Sequence, residues 1–430
     1  VKLAPGIAKA VTATPRYYGA EVRGNSFGLP AVDALAARAG VKRITRPFVF
    51  PTAAEKAATD HDNWYMLHVQ PGDMEALAAE LKQLPDVQTA TPDWRAFPAA
   101  TPNDPMFPDS WGHNNTAQLP DLDWGGTYDH TLPNTVGTVG FDANAQGAWD
   151  VTYGSSGVVI AILDSGVDVG HPDLNQVTGY DYGDNDTNPD DNSANPGHGT
   201  ACAGVAAAIA NNGLGAVGIA GGASIMPLKV ANSAGSMYFS AIVNAIYHAA
   251  DNGADIASMS FSADITGDPA TDAALQYAYN AGVVLMAATS NENESHIRYP
   301  ANNSVVMGIG AASPCGDRKR SAASSLYTNP GVETDPNDTT CDGERWWGSS
   351  YGSTVQDAGN AVDIIAPTIM PTTDIGGSAG YASGDYSMWF NGTSCATPYA
   401  AGCAALVISA NPGFTPAQTR DALTLSLIHI

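Results

Sequence analysis

Basic residues are scarce in this chain: 18 Lys and Arg stand against 43 Asp and Glu, a formal net charge of -25 over 430 residues. A surface of that sign repels phosphate backbones and anionic lipid, so neither nucleic acid nor a membrane is an expected partner. Charged residues as a whole make up only 14%, hydrophobic ones reach 44%, and Gly 45 and Pro 28 supply turn material throughout. That balance excludes disorder and fits a globular chain. No uninterrupted apolar run approaches the roughly 18 residues of a bilayer span; the longest informative one is VVIAIL, residues 158 to 163. The N-terminus, opening on Val1, lacks the basic start and apolar centre of a signal peptide, so secretion is not legible at that end. The five cysteines cannot all pair. Cys315 and Cys341 flank a polar, Gly/Asp-rich loop and could bridge, whereas Cys202, Cys395 and Cys403 lie in Ala/Gly/Val surroundings, so at most one disulfide is expected. No histidine is followed by glutamate, which removes the H-E-x-x-H arrangement of a zinc hydrolase.

Residues 64 to 94 carry a small α/β module: WYMLHVQ reads as a strand, Met74, Leu77, Leu81 and Leu84 recur at helical spacing, and VQTATPDW reads as a returning strand. The proline-rich FPAATPNDPMFPDS that follows resists regular structure and marks a connection. The domain boundary is therefore placed near residue 100, with a segment 1–100, compact over about 60–97, ahead of a large domain 101–430. In the large domain apolar strands alternate with helical patterns: VVIAIL, IMPLKV, DIASMSF, GVVLMAAT, SVVMGIG and AVDIIA are interleaved with an Ala-rich helix after His198, SAIVNAIYHAADNG and ATDAALQYAYNAG. The expected fold class is α/β, a mostly parallel sheet with helices on both faces, preceded by a small α+β unit. Such sheets place active sites at the carboxyl ends of their strands.

Three residues then stand out. Asp164 ends the strand VVIAIL and is followed by Ser165-Gly166. His198 lies in PGHGTACAG, where flanking glycines allow close backbone approach as the Ala-rich helix begins. Ser394 follows Asn391-Gly392-Thr393 at the start of the helix carrying ALVISA, where free backbone N–H groups can stabilise an oxyanion. A serine hydroxyl is a weak nucleophile until an imidazole takes its proton, and the imidazole needs a carboxylate to fix its tautomer and stabilise its charge. Cys395, beside Ser394, points about 100° away around the helix and reads as a packing residue.

The order Asp, His, Ser, with DSGVDVGHPDL around Asp164, GHGTACAGVAA around His198 and NGTSCATPYAAG around Ser394, resembles the subtilisin-like serine proteases of the extracellular thermitase and proteinase K sort. The likeness covers nearly everything from about residue 60 onward. It implies a secreted, monomeric serine endopeptidase that cleaves polypeptides through an acyl-enzyme on Ser394. The module at 64 to 94 resembles the family's propeptide, which assists folding and then inhibits, so a self-processing zymogen cut between Phe97 and Thr101 is expected. The Ser394 N–H and the Asn291 side chain match the oxyanion hole. The chain departs from the family at Ser290 and at Thr368, where glycine is usual. Ser260, Phe261 and Ser262 resemble the segment that pairs with an extended peptide. Ala288, Thr289 and Ser290 resemble a wall of the specificity pocket, and Glu292 and Arg298 fall at its floor, either neutralising each other or with Arg298 turned to solvent. For structural calcium, the side chains of Asp104, Asp173 and Asn212 match the family's main site, with carbonyls of Ala210, Leu214 and Ala216 completing it. The acidic loop with Asp181, Asp184, Asp186 and Asp190 could hold a second ion or be simply solvated. Cys202 matches a free cysteine beneath the proteinase K triad and reads as core filler.

Rival readings are weaker. G-x-S-x-G occurs at Ser26, Ser350 and Ser378, but none sits between a buried strand and a helix as an esterase nucleophile would. A member of the fold that has lost activity and serves as a binding or structural protein is the alternative from another class; the complete set of Asp164, His198, Ser394 and Asn291 argues against it. The remaining eight histidines read as structural or surface residues. At the C-terminus, Thr415-Pro416 opens a helix, and the ending LTLSLIHI reads as incomplete relative to the family.

Overall fold

Residues 1–4, 7, 26–45, 47–48, 63–69, 74–93, 101–118, 137–320, 347–353 and 360–426 are described by the structure, a computed structural model. The chain divides into two units, Val1–Phe97 and Pro98–Ile430. In the first, two short antiparallel pairs, Lys2–Leu3 with Val87–Thr89 and Arg43–Thr45 with Met66–His68, accompany the helices Pro30–Arg38 and Met74–Lys82. Leu3, Val32, Ile44, Tyr65, Ala78, Leu81 and Val87 form its core. The helix at 74–82 and the strands around it follow the apolar spacing; the helix at 30–38 starts where Pro30 sets its φ and Asp33 accepts from the Phe27 and Leu29 N–H groups at 2.8 and 3.0 Å.

The second unit is built on one sheet. Its strands are β1 (Val159–Asp164), β2 (Tyr180–Asp181), β3 (Ser224–Lys229), β4 (Ile256–Met259), β5 (Val284–Ala288), β6 (Val306–Ser313), β7 (Asp317–Arg318) and β8 (Ile364–Pro367). They run in the order β7-β6-β5-β4-β1-β3-β2, with β8 also on β6, and every pairing is parallel except β6 with β7. β1 lies near the middle, in register with Ser224–Lys229 on one side and Ile256–Met259 on the other.

β1 is apolar up to its closing Asp164 because both its faces are covered. Ile160 and Ile162 join the core beneath α1 (His198–Ala207) and the long helix Thr393–Ala410. Ala161 and Leu163 join a second core with α2 (Phe239–Asp251) and α3 (Pro269–Ala281). Numbered in sequence, Thr393–Ala410 is α4, and α5 (Pro416–Ser426) follows it. Thr415 caps α5 in a reciprocal pair with Gln418, as its Thr-Pro start suggested. Residues 427–430, the end of LTLSLIHI, lie outside the described residues.

α4 has a mean hydropathy of 1.2 over 18 residues, enough by length and composition to cross a bilayer, yet 67% of that stretch is buried inside the protein. It is a core helix whose apolar character is broken up in the sequence by Thr, Ser and Pro, which is why no long run announces it. α4 crosses α1 closely because Gly402 has no side chain: a Cβ there would lie 2.2 Å from Ile219 Cγ2 and 2.8 Å from the Ala206 carbonyl. The antiparallel pair β9 (Met370–Thr373) and β10 (Tyr386–Phe390) covers α1, with the Thr372 and Thr373 hydroxyls donating to the Ala201 and Thr200 carbonyls at 2.7 Å.

Candidate active site

Asp164 is the last residue of β1, His198 the first of α1 and Ser394 the second of α4. His198 Nδ1 lies 2.7 Å from Asp164 Oδ1, and the carboxylate is 1% exposed. The same oxygen accepts from the Ser165 N–H at 2.7 Å, and the Ser165 hydroxyl accepts from the Gly199 N–H at 2.9 Å, tying the strand end to the helix start. Gly199 is required there: a Cβ would meet the Gly166 carbonyl at 2.0 Å. Burial by itself would lower the His198 pKa, but the Asp164 charge and hydrogen bond outweigh it and hold the imidazole well above its usual value.

Asp191 is a residue that sequence reasoning missed. Its Oδ2 accepts from the Gly197 N–H at 2.9 Å, the Thr200 N–H at 3.2 Å and the Thr200 hydroxyl at 2.8 Å, anchoring the first turn of the helix that carries His198. Burial pushes its carboxyl up to about 6, against the pull of Thr200. It belongs to the acidic run at 181 to 192, and nothing in that run sets it apart.

Ser394 Oγ donates to the Ser260 carbonyl at 3.2 Å, and no hydrogen bond joins it to His198 among the described residues. Pro398 explains how the serine backbone is held. Lacking an N–H, it leaves the Ser394 carbonyl without its helical donor, and that carbonyl accepts instead from Ser260 Oγ at 3.0 Å and Cys202 Sγ at 3.5 Å. The Ser394 N–H, in the first turn of α4, has no partner among the described residues. Asn291 Oδ1 accepts from the Thr393 N–H and hydroxyl, both at 2.8 Å, so the amide nitrogen is the end of that side chain able to donate.

The two departures from the family pattern acquire physical content. Ser290 sits at φ 97°, a left-handed backbone that glycine adopts without strain. Thr368, fully buried, donates its hydroxyl to the Gly392 carbonyl at 2.9 Å, just ahead of Ser394. The cysteines are poor rivals to Ser394. Burial pushes the Cys202 thiol up to about 11 and raises Cys395 further, and both are fully buried. Cys202 Sγ stands 3.7 Å from Asp164 Oδ2 and 4.0 Å from His198 Nδ1, beneath the pair. Cys315 is disulfide-bonded, and Cys341 lies outside the described residues.

Phe261 and the exposed Ser262 continue from the end of β4, and their backbone groups make no hydrogen bond among the described residues until Ala263 pairs with Tyr299. Ala288, Thr289 and Ser290 are buried, with Asn291 exposed beyond them. Arg298 meets Glu292 at 3.3 Å and Glu294 at 3.5 Å, so it is paired with two carboxylates.

Among the expected calcium ligands, Asp104, Asp173 and Asn212 come together. Asn212 Nδ2 donates to Asp173 Oδ1 at 2.6 Å, and Asp104 accepts from the Asn211 and Asn212 N–H groups at 2.8 and 3.2 Å. Asp173 Oδ2 is buried without a partner, and burial pushes that carboxyl up to about 7 despite donation from Asn212, with the charge of Asp104 adding to the rise. Ala210, Leu214 and Ala216 lie on the adjoining loop, with Leu214 exposed and Ala216 buried. The acidic loop is arranged differently. Asp181 Oδ2 meets the buried Lys229 ammonium at 2.7 Å, with Asp184 at 3.5 Å from the same nitrogen, whereas Asp186 and Asp190 accept from the Asn188 and Val169 N–H groups. The four carboxylates are not gathered on one point; among the described residues the one convergent trio of potential metal ligands is Asp164, His198 and Cys202. Lys229 was visible in the sequence as the single charge in IMPLKV, a strand otherwise apolar.

The subtilase family profile matches residues 155–427. The chain is 36% identical over 272 residues to thermitase from Thermoactinomyces vulgaris, covering 62% of this chain and 79% of that protein. It is 34% identical over 275 residues to subtilisin E from Bacillus subtilis (strain 168), covering 63% and 60%. Among solved structures, a protease from Pseudoalteromonas arctica PAMC 21717 superposes with a TM-score of 0.55 at 26% identity over 76% of this chain and 92% of that one. Sphericase superposes at 0.50 with 29% identity over 63% and 83%. The parallel sheet, the matched motifs and these likenesses lead to one conclusion: the chain belongs to the subtilase family and is a serine peptidase.

Proposed function

We propose that the protein is a secreted endopeptidase that cleaves polypeptides through an acyl-enzyme on Ser394, with His198 as general base and then acid, and Asp164 orienting the imidazole. The observation that carries this reading is the 2.7 Å contact of His198 Nδ1 with a buried carboxylate at the end of the central strand, beside a serine at a helix N-terminus. An extended substrate adds to the unpaired backbone of Phe261 and Ser262. Its carbonyl carbon comes to Ser394, whose hydroxyl leaves the Ser260 carbonyl by a change of χ1 and turns to His198 Nε2. As Oγ bonds to the carbon, its proton passes to Nε2, and the oxyanion is met by the Ser394 N–H and the Asn291 amide. The imidazolium then protonates the departing amine, and water, activated by the same nitrogen, releases the acid.

The unit Val1–Phe97 is proposed to be an inhibitory propeptide that the active site removes. The bond is expected between Phe97 and Thr101; residues 94–100 lie outside the described residues. Intact mass of the purified parent should show loss of the N-terminal unit, and the Ser394→Ala variant should retain it. An active protein still carrying residues 1–97 would overturn the zymogen reading. Export is supported by the disulfide at Cys315, a bond that persists in oxidising surroundings.

Calcium is proposed as a structural ion at Asp104, Asp173 and Asn212, with carbonyls of Ala210, Leu214 and Ala216. The orphaned Asp173 Oδ2, beside a second carboxylate, suits a hard cation, which would supply the missing charge. An ion held at one hundred times its dissociation constant stabilises by about 2.7 kcal/mol. Chelation should therefore lower Tm by several degrees. Asp173→Asn should abolish the calcium response, whereas Asp186→Asn, in the loop with no gathered site, should preserve it.

A further inference from the structure

We propose that Ser290, Glu292 and Ser350 are positioning residues that aim the Asn291 amide at the oxyanion. This rests on the assignment of Asn291 to the oxyanion hole and adds what holds it there. Ser290 is 3% exposed and held at φ 97°, where a β-carbon is unfavourable, so the conformation persists only if its surroundings impose it. They do so through the side chain that glycine would lack. Ser290 Oγ donates to a Glu292 carboxylate oxygen and lies 3.3 Å from Ser350 Oγ, while the Ser350 N–H donates to the Ser290 carbonyl at 2.9 Å. The other Glu292 oxygen faces Arg298 Nη1 at 3.3 Å, which fixes the carboxylate from behind.

The same neighbouring segment grips Asn291 on both sides. The Gly348 N–H donates to the Asn291 carbonyl at 3.3 Å, the Asn293 N–H donates to the Gly348 carbonyl at 2.9 Å, and the Glu294 N–H donates to Ser350 Oγ at 3.3 Å. That segment is anchored below by Lys319, fully buried, whose ammonium donates to the Trp347 carbonyl at 3.2 Å and lies over the Trp347 ring. With its backbone clamped by 348–350 and its Oδ1 by Thr393, Asn291 has both ends of its side chain set before substrate arrives. Oxyanion stabilisation is strong when donors need no reorganisation, so loosening the clamp acts on the transition state rather than on substrate binding.

The experiment is a cycle of variants assayed with a chromogenic peptide anilide, with active sites counted by fluorophosphonate titration. Asn291→Gly should lower kcat on the order of 10²- to 10³-fold. Ser290→Ala, which keeps the β-carbon and removes both hydroxyl contacts, should lower kcat on the order of tenfold at nearly constant KM. Combined with Asn291→Gly, Ser290→Ala should have no further effect beyond about twofold, because it acts through that amide. Glu292→Ala and Ser350→Ala should repeat this masking, which keeps the test open if Ser290→Ala does not fold. A loss that persists undiminished in the Asn291→Gly background, or that falls on KM, would overturn the proposal. If Asn291→Gly alone leaves kcat intact, the oxyanion assignment itself fails, and the clamp falls with it.

Discussion

Ser394→Ala and His198→Ala should each lower kcat on the order of 10⁶-fold, the size that loss of the corresponding serine or histidine has in subtilisin itself, and the double variant should lose little more. The reason is that the two act as one unit: without the imidazole the hydroxyl keeps its proton, and without the hydroxyl the imidazole has no proton to take. Some acceleration over water should survive in all three, from the Ser394 N–H, Asn291 and substrate alignment. The measurement is kcat and KM on a peptide anilide with freshly purified protein, since traces of wild-type enzyme would mask so large a loss. Independent, multiplying effects would mean that His198 and Ser394 do not cooperate, and the assignment of nucleophile and base would be wrong.

Asp164→Asn should lower kcat on the order of 10⁴-fold while the fold is retained. Asp164 Oδ1 accepts from both His198 Nδ1 and the Ser165 N–H. An asparagine whose carbonyl stays on Ser165 turns its NH2 toward His198, and the imidazole must then carry its proton on Nε2, the atom that should receive one. The pH profile supplies an independent sign. The Asp164 charge outweighs the lowering by burial and holds the His198 pKa above the free value of 6.5. A base must be neutral, so kcat/KM should fall as pH drops through that raised pKa, with its midpoint above 6.5 in the parent and shifted down in Asp164→Asn. Stability runs the other way: the folded protein binds this proton more tightly than the unfolded chain, so the contribution is fully present below the free pKa and fades as pH rises through the folded one. An acid limb that stays in place after the substitution would show that another group sets it.

The parallel sheet, and the placing of the candidate residues Asp164, His198 and Ser394 on it, were legible because each rests on a local pattern. Asp164 closes an apolar run, His198 opens an Ala-rich helix between glycines, and Ser394 begins another, so strand ends and helix starts place them with little need of distant contacts. Asp191 and Ser350 were not legible in the same way, and Lys229, visible as a lone charge in its strand, gave no sign of its partners. Ser350 and Lys229 do their work through partners far along the chain, Ser350 reaching back to Ser290 and Lys229 to Asp181 and Asn192, whereas Asp191 bonds nearby Gly197 and Thr200 from within a run of similar aspartates. Ser350 even matched a motif of a different chemistry, and only its burial and bonding show what it touches. Ser290 could be seen to differ from glycine, but the sign of that difference needed a dihedral angle. The acidic loop shows the converse, since four aspartates close in sequence divide among the Lys229 ammonium and the Asn188 and Val169 N–H groups once folded.

α4 has a meaning for how this enzyme dies as well as for how it works. In the folded protein 67% of its 18-residue stretch is buried, but every global opening hands that stretch to the solution. Unfolded copies would then face two irreversible fates, clumping through α4 and digestion by intact neighbours. Shelf life should thus track the rate at which the molecule opens rather than an equilibrium free energy, and an apparent Tm should climb with scan speed. Because the proposed nucleophile Ser394 rides on that same helix, turnover and solubility should vanish together, as one kinetic event.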